Sequence, residues 1–197
     1  MEKQKMLVVC VHVGDFIWRC GGSIAKYARE GHEVTVIALT YGIRGESNGY
    51  WKRGGSSADE CREIRRREGE EAARILGVSR IEFWDYQDYP LSMTDERIER
   101  LACKIREIRP DFILTHDKEP DPYNMDHNLA SDALRTAYTI ASGAGAVCNG
   151  LPVAPRQTPM FGFEPHMTEI SSFTPGIYID ITDVFEQKKQ AMACCAT

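Results

Sequence analysis

The sequence predicts an α/β protein, a Rossmann-like three-layer sandwich in which helices cover both faces of a mostly parallel sheet. Three observations carry this. Apolar runs of strand length alternate with helix-length stretches along the chain. The first run, Met6 to Val11, is apolar at every position, the pattern of a strand buried on both faces. Polar segments rich in His, Asp and Glu follow the strand-like runs, where ligands bind in open sheets of this class.

The elements follow in order. After Met6 to Val11 and the pair Gly21-Gly22, Ser23 to Glu30 reads as a helix stopped at Gly31. Val34 to Leu39 is the second strand, and the Gly-rich, polar stretch Tyr41 to Ser57 is a loop. Ala58 to Leu76 is a long charged helix that Gly77 ends. Arg80 to Trp84 is a short strand. Thr94 to Ile108 places Ile98, Leu101, Ile105 and Ile108 on one helical face, and Pro110 closes it. Phe112 to Leu114 is a strand, His116 to Asp126 a polar loop, and Asn128 to Ala141 a helix. Gly143 to Thr158, rich in Gly, Ala and Pro, reads as a surface excursion. Met160 to Phe163 and Ile177 to Ile181 are further strands, and a last helix begins after Asp183. No repeat or boundary divides the chain, so one domain over residues 1–197 is expected.

The 197 residues suffice for one full core, and 43% hydrophobic with 27% charged residues is ordinary for a globular domain. A net charge of -5 argues against nucleic-acid or anionic-membrane partners. No apolar stretch is long enough to span a bilayer, and Met1 to Lys5 lacks a signal-peptide pattern, so the expected compartment is the cytoplasm. The seven Cys are scattered with no C-x-x-C, and read as reduced, mostly buried thiols.

Two segments carry the chemistry. Val8 to Asp15 ends in His12-x-x-Asp15, and Asp121 to His127 ends in Asp126-His127 at the start of a helix. Either alone is explained by a polar turn with a carboxylate at a helix N-terminus. Together, at one sheet edge, His12, Asp15 and His127 offer the N and O ligands of a borderline divalent cation such as zinc, with one coordination position open for water.

His12-Val13-Gly14-Asp15, Gly21-Gly22 and Asp126-His127 resemble the LmbE/PIG-L family of zinc-dependent enzymes. The resemblance implies an LmbE-like fold and a Zn2+ ion on His12, Asp15 and His127. The family's N-deacetylases carry an Asp general base where this chain has Gly14, a Glu where it has Phe16, and a His where it has Asn124. These departures, with Gly42-x-Arg44-Gly45-Glu46-Ser47, Asp88-Tyr89-Pro90-Leu91 and Phe163-Glu164-Pro165-His166, resemble the 4-oxalomesaconate hydratase branch. That branch hydrates a carbon–carbon double bond in aromatic degradation.

Hydration needs a base for water and an acid for the neighbouring carbon. Glu46 and His166 are the candidates, with the division of roles left open between them. Asp126 is expected to orient a ligand imidazole or relay a proton. Arg19 and Arg44 are the candidates for pairing with substrate carboxylates, and Asn124 is a further substrate-binding candidate. The run Arg65 to Arg67 among Glu residues reads as a solvated helix face. The expected partners are a small anionic substrate and further copies of the chain as a homo-oligomer. Two alternatives stay open: an N-deacetylase of an N-acetylglucosamine conjugate, and a non-catalytic metal-binding remnant. The last helix stops at Ala193-Cys194-Cys195-Ala196-Thr197 with no Gly cap or Pro, and family members extend some tens of residues further, so a truncated C-terminus is expected.

Overall fold

The computed structural model describes residues 2–55 and 57–197. Met1, the first residue of the polar start, and Ser56, in the expected loop, lie outside the described residues. In chain order the elements are β1 (Lys5–Cys10), α1 (Val13–Trp18), α2 (Gly21–Arg29), β2 (Glu33–Thr40), α3 (Asn48–Lys52), α4 (Ala58–Leu76), β3 (Arg80–Tyr86), α5 (Asp95–Ile108), β4 (Phe112–His116), α6 (Met125–Ser142) and β5 (Met160–Phe163). A 3-10 turn (Thr182–Val184) and α7 (Phe185–Ala193) follow.

The sheet runs β3-β2-β1-β4-β5, and every pairing is parallel. From Met6 onward β1 is apolar because it lies at the centre, with cores above and below it. Met6, Val8 and Cys10 face one core, shared with Phe16 and Ile17 of α1, Ile24 of α2, Leu76 of α4 and Ala191 of α7. Leu7 and Val9, on the opposite pleat, join Leu101 and Ile105 of α5 and Leu134 and Ala137 of α6. The result is three layers. The strand order reverses at β1: the chain passes to β2 on one side and β4 on the other, which opens a crevice at their carboxyl ends.

Local chemistry sets the helix ends. Ser57 Oγ accepts the Glu60 N–H at 3.2 Å to start α4, and Gly77 (φ 78°) ends it in the left-handed region. At Gly22 a Cβ would press into Ile181, so the close approach of the 177–181 segment to α2 requires glycine there.

Three expectations are corrected. Ile177 to Ile181 is not a strand. It has the alternation of one, but no described strand hydrogen-bonds to it, and Ile177, Tyr178 and Ile179 are exposed. The thiols are not all free: Cys103 of α5 and Cys148 of the 143–158 excursion form a disulfide, with Cα atoms 5.1 Å apart. Arg65 is not on a solvated face. Its side chain is buried, donating to the Tyr41 carbonyl at 3.0 Å and to Glu68 at 3.1 Å. The helices α1 and α3 were not expected, being too short to show a period.

Candidate metal centre and active site

β1 delivers His12 to the crevice. The residue is the N-cap of α1, and its backbone N–H donates to Asp15 Oδ2 at 2.8 Å. That bond places the Asp15 carboxylate at a helix N-terminus, where negative charge is favoured. The His12 ring is fully buried, yet neither ring nitrogen has a hydrogen-bond partner among the described residues. Leaving one buried polar atom unsatisfied costs about 1–3 kcal/mol. Carboxylates surround the ring instead. Asp15 Oδ2 and Glu46 Oε1 lie 3.5 and 3.8 Å from Nδ1, and Asp126 Oδ2 lies 3.9 Å from Nε2. Burial opposes charge on His12, but Asp126 and Asp15 outweigh it and raise its pKa to about 9. The site therefore has a strong preference for positive charge.

β4 and its loop bring the second imidazole. His127, in the first turn of α6, is buried. Its Nδ1 lies 3.1 Å from Asp121 Oδ2, while Nε2 faces Asp15 Oδ1 at 3.3 Å and the Asn124 amide at 3.0 Å. A carboxylate on Nδ1 fixes that proton and leaves the Nε2 lone pair turned toward Asp15. Potential ligand atoms of His12, Asp15 and His127 all lie within 4.8 Å of one another. An N, O, N donor set with two orphaned nitrogens on one buried ring fits a borderline divalent cation.

Asp121 is a residue that sequence reasoning missed. Burial opposes its ionisation, yet the Tyr123 N–H together with His166 and His127 holds its pKa at about 2. Its Oδ2 accepts from both imidazoles, with His166 Nδ1 at 3.0 Å. On the other side of His166, Arg19 Nη2 approaches Nε2 at 2.7 Å. A guanidinium only donates, so Nε2 accepts and Nδ1 carries the proton. His116, also buried, accepts the Val11 N–H on Nε2 at 3.1 Å and stacks on His127 with centroids 4.0 Å apart. Burial pushes its pKa down to about 4, so the ring is neutral.

The other expected residues divide. Glu46 and Asp126 reach the His12 ring. Asp126 accepts the Tyr89 and Leu91 N–H groups at 2.8 and 2.9 Å, so it also anchors the segment after β3. Arg19 braces rather than projects: besides His166 it donates to the Glu164 carbonyl at 2.6 Å and lies 3.9 Å from Asp15. Asn124 is the N-cap of α6, with Oδ1 buried and unpartnered among the described residues. Arg44 is exposed, its backbone N–H held by Asp88 Oδ2 at 2.8 Å. A cavity of about 700 Å³ lies beyond Arg19 and Glu164, floored by Phe112, Phe161 and Phe163, and does not contain the histidine cluster.

A family model described as GlcNAc-PI de-N-acetylase matches residues 7–138, the span that holds His12, Asp15, Glu46, Asp126 and His127. A 4-oxalmesaconate hydratase of Pseudomonas putida is 39% identical over 98% of this chain and 74% of its own length. A diacetylchitobiose deacetylase of Thermococcus kodakarensis is 30% identical over 97% of this chain and 68% of its own length. The crystal structure of GalB, the 4-carboxy-2-hydroxymuconate hydratase from Pseudomonas putida, superposes with a TM-score of 0.92 at 38% identity. It matches 98% of this chain and 79% of its own. No helix among the described residues is long and apolar enough to cross a membrane.

Proposed function

The chain belongs to the GlcNAc-PI de-N-acetylase (PIG-L) family, and on that premise we propose that it is a zinc-dependent hydratase of a keto-polycarboxylate such as 4-oxalomesaconate. The observation that carries this is likeness to a hydratase along nearly the whole chain, seen both in sequence and in structure. His12, Asp15 and His127 would hold the ion, and the unsatisfied His12 nitrogens support that assignment. When bound, zinc supplies Lewis-acid polarisation of a substrate oxygen or of water.

The chain's own residues supply the rest. Water's oxygen bonds to one alkene carbon and its proton passes to Glu46, whose carboxylate lies beside His12. The neighbouring carbon would take a proton from Nε2 of His166 in its imidazolium form, with Nδ1–H held by Asp121 and Arg19 meeting the Nε2 lone pair once that proton has left. One water is consumed: its hydroxyl and one hydrogen end on adjacent carbons, the proton left on Glu46 returns to His166 through solvent, and the product is a hydroxylated keto acid with that double bond saturated. Arg44, exposed on the loop that carries Glu46, is the cation proposed to meet a substrate carboxylate. Arg19, already engaged on Glu164 and His166, would instead orient His166.

The competing reading is acetate release from an N-acetylated sugar. Gly14 separates the two, because it offers no carboxylate for such a base. A Cβ there would make only ordinary contacts, 3.7 Å to Trp18 and 3.8 Å to Arg65. The decisive assay runs both reactions on one preparation. Loss of the conjugated oxo-acid absorbance is expected, abolished by a chelator and restored by zinc. Acetate release from an N-acetylglucosamine conjugate with no oxo-acid turnover would reverse the assignment.

A further inference from the structure

The segment Asp88-Tyr89-Pro90-Leu91 follows β3 and crosses the site, yet the hydration chemistry above gives it no task. Tyr89 touches three of the proposed catalytic and metal-binding groups. Its hydroxyl donates to Glu46 Oε1 at 2.9 Å. Its ring lies parallel to that of His12, 5° between planes and 5.4 Å between centroids. Its backbone N–H donates to Asp126. The contact is built from both sides. Asp88 Oδ2 accepts the N–H groups of Arg44 and Gly45 at 2.8 and 2.9 Å, which locks the Glu46 loop against this segment. At Gly45 any Cβ would run into the Tyr89 ring, so the glycine there admits the ring.

We infer that Tyr89 is a positioning residue for Glu46: its hydroxyl holds one carboxylate oxygen beside His12 and leaves the other turned to the reacting water. Glu46 is partly exposed and has three side-chain torsions, so without this hold its carboxylate samples solvent. A phenol is an O–H donor near neutral pH, so the hydroxyl can donate to the carboxylate. The inference rests on Glu46 taking part in the proposed hydration.

Tyr89→Phe keeps the ring and removes the donor. We expect kcat to fall about 10–100-fold with KM changed less than about twofold, because misplacing a reacting group by an ångström costs that much in rate. Zinc content stays the same. In the double variant with Glu46→Gln, turnover is expected to be no lower than in Glu46→Gln alone. Multiplying losses would mean that Tyr89 acts independently of Glu46 and would overturn the inference. Glu46→Asp, which draws the carboxylate back from the hydroxyl, is the second variant. It should match the loss in Tyr89→Phe, and full activity would count equally against the inference. A crystal structure of Tyr89→Phe separates this from failure of the hydratase reading. The Glu46 carboxylate should move or take several rotamers, and an unmoved carboxylate overturns the inference whatever the wild-type protein hydrates.

Discussion

Arg106 and His12 are both buried, polar and nitrogen-bearing, and the molecule treats them in opposite ways. The Arg106 guanidinium sits beneath the 143–158 excursion and donates to five carbonyls. Those of Gly143 (2.6 Å), Ala141 (2.8 Å) and Ala146 (3.0 Å) are nearest, with Ile140 (3.3 Å) and Leu151 (3.5 Å) beyond. It closes the end of α6 against α5, and its bonding capacity is filled by the backbone. His12 is buried more completely and has no hydrogen bond to either ring nitrogen among the described residues, although carboxylates of Asp15, Glu46 and Asp126 stand within 4 Å. Buried polar groups are normally satisfied, so the exception marks the place where the fold tolerates a deficit. A saturated group belongs to the scaffold, and an unsaturated one among carboxylates is where we propose that a ligand binds.

The sharpest break of that comparison is His12→Ala. Turnover should drop at least about 10³-fold, since the variant loses both the ion and its charge stabilisation. Bound zinc should fall from one per chain toward none, read by elemental analysis. The melting temperature of the metal-free protein should barely move. Full zinc content in this variant would erase the contrast.

Arg106→Leu should give the reverse pattern. It strands several buried carbonyls and should cost about 3 kcal/mol of stability, measured by urea unfolding. The kcat/KM of the folded fraction should stay within about twofold. A large catalytic defect at unchanged stability would place Arg106 on the functional side.

Asp121→Asn tests the boundary between the two classes, because Asp121 is satisfied yet touches a proposed ligand. Losing the carboxylate partner of an imidazole typically weakens metal affinity about 10–100-fold. Zinc titration by calorimetry should show that loss with only a small change in melting temperature. Unaltered affinity would make Asp121 a loop anchor and nothing more.

Much of this was legible in the sequence, for physical reasons that also explain the failures. The strand at Met6 and the helix Ala58–Leu76 announce themselves because a central parallel strand is apolar at every position and a long helix carries its own caps. Ile177 to Ile181 misled because alternation records a local preference, whereas a strand needs a neighbour to bond. Arg65 hid in a run of Arg and Glu. The signal was the spacing Cys61, Arg65, Glu68, Ala72 and Leu76, which puts Arg65 on the buried face of α4. The pairing of Cys103 with Cys148, 45 residues apart, leaves no local trace. At the site, His12 and Asp15 could be picked out because they follow an apolar strand, and His127 because it ends a polar loop that opens a helix. Asp121, His116 and Tyr89 could not be given partners, because their contacts cross between segments that only folding brings together.

The shared oxygen of Asp121 has one more consequence. His127 faces the proposed ion and His166 faces the mouth, and both deliver a proton to that same atom. The two rings are therefore not independent. An anion that draws His166 away leaves Asp121 to bond His127 alone, which strengthens the imidazole as a donor. Thermodynamic linkage makes the effect mutual: whatever factor substrate adds to the grip on the ion, the ion adds to the grip on substrate.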